Sequence, residues 1–380
     1  MSVGRRVQPI ALVRILMQHS PLWRTEVFDS GSTPTGRRLK RKISFAFARG
    51  GQLRRCAAVI LLTWSAVHVF AESCLTAEDM DAATRGNLIS VALRDFDVIA
   101  KGDTASLRQS AIPSVAGDFA GIETAVKDNR SALAAAKATA RPPFVLEAAG
   151  AAPIERAEFF CGVFGSKGQT RDSAVFTLSN LPPGKYGVVI LDAPTAKGAY
   201  TVSMILQQLG ADWKLGGLYI KAEELNAHGS DWFISHAQDF QRKGQLYNAW
   251  LCYSVARSLV SPLPFMSTAA TDKLYDDSQK LQPADFPSEG KTTDLSAGAT
   301  VYKLTALFPQ AVANDLDLIV KYQAADISDT TRTYQSNVAV MKALIAKYPE
   351  LRTAFAAVVA RAVDPNGRDY GTLLAMKDIP

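Results

Sequence analysis

Beyond residue 71 the histidines are His228 and His236, which bracket Asp231 and are followed by Asp239. Imidazole and carboxylate at His-x2-Asp-x4-His spacing form a donor set of the softness zinc accepts. Structural zinc sites, however, draw on close pairs of ligands, and Gly229-Ser230-Asp231 reads as a loop leading into a helix N-cap. The capping reading is favoured, and no metal or other cofactor is expected. Ser288-Glu289-Gly290-Lys291 has the Ser-x-x-Lys spacing of a penicillin-binding nucleophile pair. It lies in a polar Pro/Gly stretch instead of at a helix start, and neither an SDN nor a KTG element accompanies it. No phosphate-cradling glycine loop, dinucleotide fingerprint, HExxH, GxSxG or CxxC occurs.

Other residues suited to recognition are aromatic. Trp213, Trp232 and Trp250, with Tyr219, fall where a strand-rich block gives way to a helical one, and they are the candidate ligand- or partner-binding residues. Cys161 and Cys252 sit in apolar runs (EFFCGVF and AWLCYSVA), where a buried, inert thiol is the default, leaving Cys74 as the reactive one. With Cys74, Cys161 and Cys252 the region beyond residue 71 can form at most one internal disulfide, so it is not a disulfide framework.

Charge placement points to export. Of 42 basic and 36 acidic residues, 1–71 hold 12 and 2, which leaves 30 and 34 in 72–380 and a charge near −4. The phosphate-neutralising footprint of a nucleic-acid binder is therefore absent from the part that folds. Arg54 and Arg55 precede an apolar run over 56–70 that closes on Val69-Phe70-Ala71, the pattern a signal peptidase reads. The run is too short for a stable membrane span. A mature protein starting at Glu72, periplasmic or secreted, is expected.

Apolar residues at Met80, Ala83, Leu88, Val91, Ala92, Phe96 and Ile99 predict a helix over 76–100, and a second is expected over 120–139. Short runs at 159–164, 174–178, 187–191, 200–208 and 213–220, separated by Gly/Pro turns, predict a meander of strands. Residues 226–281 return to helical spacing, 282–298 read as a linker, and 299–380 predict strands at 300–308, 316–324, 357–363 and 370–377. The last two flank an Asn366-Gly367 hairpin turn, and a long helix precedes them.

Two helices, a curved antiparallel sheet and the hairpin Leu-Gly-Ala-Asp-Trp-Lys-Leu-Gly-Gly-Leu-Tyr-Ile (209–220) resemble the nuclear-transport-factor-like (NTF2-like, or SnoaL-like) cone fold over 75–225. Phe176-Thr-Leu-Ser-Asn-Leu-Pro-Pro-Gly-Lys-Tyr186 with the following Gly-Val-Val-Ile is similar, locally, to transthyretin-like or Cna-B-type β-sandwiches. Residues 233–261 resemble a single tetratricopeptide-like hairpin, with Ala237, Phe240, Gly244, Ala249, Tyr253 and Ala256 at the small, aromatic and glycine positions. A lone repeat cannot bury its own face and must pack on a neighbour. The region as a whole is similar to uncharacterised exported bacterial proteins.

The cone resemblance implies an interior where a carboxylate with raised pKa could shuttle protons. Asp95 or Asp97, with Tyr186, Tyr200 or Tyr219, would be its members, but both acids are expected to face water. The fold class is thus α+β: a cone domain, a helical hairpin and a small C-terminal α+β domain. The expected function is non-catalytic binding of a protein or a small apolar ligand, with an enzyme or carrier of a small apolar molecule as the alternative.

Overall fold

The computed structural model describes residues 72–164, 168–287, 290–312 and 315–380. The leader and signal-peptide readings, and Ser288 of the Ser-x-x-Lys spacing, lie outside the described residues. The architecture is mixed α+β with several sheets, mostly antiparallel.

Helix α1 (Ala82–Lys101) begins at Asp81, whose carboxylate accepts from the Thr84 N–H at 2.8 Å, and ends at Gly102 in the left-handed region. There the Gly102 and Asp103 amides close on the Ile99 and Val98 carbonyls, a terminus that favours glycine. Short helices α2 (Thr104–Gln109) and α3 (Pro113–Gly117) lead to α4 (Ala120–Leu133), which stops six residues before its expected end.

The strands that accompany these helices are β1 (Ser73–Leu75), β2 (Thr139–Ala140), β3 (Phe144–Ala148), β4 (Ile154–Cys161), β5 (Ala174–Leu181), β6 (Gly184–Thr195), β7 (Gly198–Leu209) and β8 (Asp212–Ala222). They do not form one meander. A six-stranded sheet runs β1-β3-β6-β7-β8 with β2 on β6, whereas β4 and β5 join β9 (Met266–Thr268) in a separate sheet. On one face of the large sheet the helices pack against Val189, Leu191, Met204, Leu206 and Trp213. Contact is close at Gly187, where a Cβ would stand 2.3 Å from Leu88 Cδ2. The opposite face, carrying Phe144, Leu146, Val188, Ile190 and Ile205, is covered by Ala157, Phe159 and Phe176 of the small sheet. Burial on both faces explains the unbroken apolar run Val188–Val189–Ile190–Leu191. The segment 176–186 is accordingly a crossing between sheets, and the Tyr186 hydroxyl donates to the Pro182 carbonyl at 2.7 Å.

A disulfide joins Cys74 on β1 to Cys161 on β4. This corrects the expectation of a reactive Cys74 and an inert free Cys161; only Cys252 is a free, buried thiol among the described residues. The bond closes a loop of 87 residues between the two sheets, worth about 4–5 kcal/mol in the chain-entropy account.

Helices α5 (Ser230–Arg242) and α6 (Leu246–Val260) form a hairpin around Gly244, at φ 73, and α7 (Ala269–Gln279) packs on α6. Ala237, Ala249 and Ala256 are fully buried where small residues permit close approach. Beyond them β10 (Thr293–Ala297), β11 (Thr300–Val312), β12 (Asp315–Gln323), α8 (Thr330–Lys347), β13 (Ala357–Val363) and β14 (Asp369–Ala375) build a five-stranded sheet in the order β10 to β14. Strands β12 and β13 pair in parallel, joined through α8, which packs on the sheet. The expected linker at 282–298 is corrected: Phe286 is buried in this domain's core, and β10 pairs with β11.

Candidate functional site

An open cleft of about 420 Å³ lies where the large sheet meets the helical pair. Its walls come from four segments: Ala199 at the start of β7, Glu223 and Glu224 after β8, Gly229–Trp232 at the start of α5, and Leu259 and Val260 at the end of α6. The sequence folds this way because β8 runs out into a tight turn. Leu225 and His228 exchange two main-chain hydrogen bonds, and Asn226 and Ala227 between them take φ of 53° and 60°. Two consecutive left-handed residues are what such a turn demands, and an alanine there is strained.

The carboxylates of the cleft differ in their partners. Glu223 accepts from Arg141 Nη2 at 3.1 Å and from the Thr201 hydroxyl, while Arg141 also holds Asp192. Glu224 and Asp231 make no ion pair among the described residues. Lys221 makes no ion pair with the cleft acids among the described residues: its ammonium donates to the carbonyls of Ser258 at 2.6 Å, Leu259 at 3.0 Å and Ser261, at the C-terminal end of α6. Burial pushes its pKa down to about 8, with Glu223 opposing the shift and Arg141 adding to it. Lys221 thus ties the sheet to the helical pair and leaves the cleft lining acidic.

Trp232 lines this cleft. His228 stacks on the indole at 4.0 Å between centroids and His236 at 3.5 Å, so the two imidazoles occupy opposite faces. Rings held apart by an indole cannot converge on one ion, and among the described residues no cluster of His, Cys, Asp or Glu is arranged to hold a metal. The other aromatic candidates lie elsewhere. Trp213 is buried in the core beneath α1, Trp250 meets Phe286 edge-on at 5.8 Å, and Tyr219 packs on Phe265 at 5.5 Å. Burial pushes the Tyr219 phenol up to about 12. Of the four, only Trp232 reaches the cleft. Glu223, Glu224 and Leu259 were not singled out by sequence; the acid pair directly after a strand was the available signal.

Asp95 departs from expectation. It is 1 % exposed, because it falls on the stripe Leu88, Ala92, Asp95, Ile99 that α1 turns to the core. Burial raises its pKa against the opposing effects of Arg94, the Ser110 hydroxyl at 3.4 Å and Lys214. The helix face that carries it also contributes Leu88, Ala92, Phe96 and Ile99 to the first domain's core. A second carboxylate, Asp285, accepts from the hydroxyls of Tyr247 at 2.5 Å and Tyr348 and pairs with Lys347 at 3.1 Å, fastening α6 to the C-terminal domain. Nearby, Asn248 donates to the Glu350 carbonyl at 2.6 Å.

No family model matches the chain, and no curated protein or solved structure is significantly similar to it.

Proposed function

We propose that this chain is an exported, non-catalytic binding protein whose cleft receives a cationic side chain, lysine or arginine, of a protein partner. The observation that carries this reading is the pair Glu224 and Asp231, acids that line an open cleft and make no ion pair among the described residues. Their headgroups suit an ammonium or guanidinium, and the aliphatic wall of Leu259 and Val260 suits the methylene stem that such side chains lay on apolar surface. The strained Ala227 turn adds weight, since strain of this kind concentrates at functional positions. Export rests on the leader pattern and is supported by the disulfide, which persists in oxidising compartments.

Within this reading, residues 75–225 are a variant of the NTF2-like cone. Helices α1 and α4 against β6–β8 support it, and the second sheet is the departure. The buried Ala237, Ala249 and Ala256 of α5 and α6 support a tetratricopeptide-like pair. The alternative, an enzyme or carrier of a small apolar molecule, needs space on the helix-covered face of the sheet, and there Val189, Met204, Leu206 and Trp213 pack directly against the helices. On a support bearing aminoalkyl groups the protein should be retained in a salt-sensitive manner, and the double variant Glu224→Gln/Asp231→Asn should elute early. Equal retention of both proteins would overturn the assignment.

A further inference from the structure

The edges of the three sheets are not treated alike. On β8 the edge is engaged by the chain itself: the Ile112 amide donates to the Leu215 carbonyl at 2.9 Å, and the Leu215 amide to the Ser110 carbonyl at 2.9 Å. Strands β1 and β9 are only three residues long, β1 also being tied by the disulfide. On β4 the Glu158 amide donates to the Glu72 carboxylate at 2.8 Å, and Arg156 and Glu158 place charges there. Strand β10 is short and carries Asp294, paired with Lys303. These are the usual devices that keep a sheet edge from pairing with another chain.

Among the described residues, strand β14 has none of them beyond Asp369 at its start, which pairs with Arg361 of β13. It is seven residues long, in regular register with β13 throughout, with no proline, lysine or bulge. The direction of its main-chain groups follows from its flanks. The Asp364 amide donates to the Arg368 carbonyl and the Met376 amide to the Ala356 carbonyl. Hydrogen-bonded pairs alternate along an antiparallel ladder, so Tyr370, Thr372 and Leu374 bond to β13, while Asp369, Gly371, Leu373 and Ala375 direct their N–H and C=O groups outward. Asp369, Gly371 and Leu373 are exposed, Leu373 at 42 %.

We propose that β14 pairs with β14 of a second copy of this chain, antiparallel about a twofold axis at Thr372, joining two five-stranded sheets into one. The strand is self-complementary in that register. Gly371 and Leu373 of opposite copies exchange hydrogen bonds, as do Asp369 and Ala375. Tyr370 faces Leu374, an aromatic–aliphatic cross-strand pair, and Thr372 faces Thr372. Leu373 settles over the partner's Gly371, whose missing side chain leaves room for it. Leu373 also ends the row Phe308–Ile319–Val359–Leu373 on the face opposite α8, in which Ile319 is already buried, so pairing extends an existing apolar stripe. One short strand pair buries little area, so the association is weak and concentration-dependent.

Sedimentation of the intact protein over a wide range of concentration should show a monomer passing to a dimer, with hydrogen exchange at the Gly371 and Leu373 amides slowing in step. Leu373→Lys puts an edge lysine, the device this strand lacks, in place of the apolar contact over the partner's Gly371 and should weaken association at least about tenfold, with the thermal midpoint of the monomer little changed. A mass that stays monomeric throughout would overturn the proposal. So would a dimer whose Gly371 and Leu373 amides exchange freely, or one that Leu373→Lys leaves intact. Should the lysine variant fail to fold, amide protection in the unaltered protein decides alone.

Discussion

Asp95, in the helical layer of the first domain, and Asp285, at the junction of the helical pair with the C-terminal domain, are both acids near hydroxyl groups, and their pKa values move in opposite directions. At Asp95 burial dominates: one hydroxyl and an exposed Arg94, each at 3.4 Å, do not offset the loss of water, and the pKa rises. At Asp285 burial acts the same way, but two tyrosine hydroxyls and Lys347 more than offset it and bring the pKa to about 2. The number and directness of donors, more than depth, decides whether a carboxylate strengthens the fold. Asp285 is a fastening between two elements; Asp95 is a charge the core tolerates.

The largest expected effect comes from removing the fastening. Asp285→Ala leaves the Tyr247 and Tyr348 hydroxyls without their acceptor and should lower stability by about 1–3 kcal/mol, read from denaturant midpoints at neutral pH. A loss no greater than that of a neighbouring exposed alanine substitution would show that the junction rests on packing alone.

Acid titration gives a smaller effect with a definite sign. The folded pKa of Asp285 lies below its ordinary 3.8, so its contribution is fully present above pH 3.8 and is lost as pH falls toward 2. For a side chain 44 % exposed, screening reduces this to on the order of 1 kcal/mol. The stability difference between the unaltered protein and Asp285→Ala should therefore shrink across that window.

Asp95 should show the opposite sign and the smallest change. Its folded pKa is raised, so the ionised form costs stability at neutral pH and the cost disappears as pH falls through the folded pKa toward 3.8. Asp95→Asn should leave stability unchanged or raise it by less than about 1 kcal/mol at neutral pH, with the difference gone in acid. A marked loss would mean that the contacts to Ser110 and Arg94 hold α1 in place.

Legibility in sequence followed the range of the contacts. In the C-terminal domain the stripe Val338, Met341, Leu344, Ile345 and the Asn366-Gly367 turn are local signals, and α8, β13 and β14 stand close to where those signals place them. Asp95, expected on the solvent face, is buried, although a local signal existed: it is three residues from Ala92 and four from Ile99 on one helix face. The second sheet was not, because β4, β5 and β9 are brought together across a hundred residues of chain; the one cue was the run 188–191, apolar at every position instead of at alternate ones. Asp285 was hidden for the same reason. It sits in a polar stretch, and its tyrosines are 38 and 63 residues away. The cleft draws on four separate segments, of which sequence marked only the Gly229–Trp232 portion.

The cleft itself is tested most directly through the indole N–H signals of Trp213, Trp232 and Trp250 in an NMR titration with an uncharged-end peptide carrying a single lysine. A saturable shift of the Trp232 signal alone is expected, abolished in Glu224→Gln/Asp231→Asn and absent with a glutamate peptide. Absence of any shift at Trp232, or the same shift in the double variant, would contradict it.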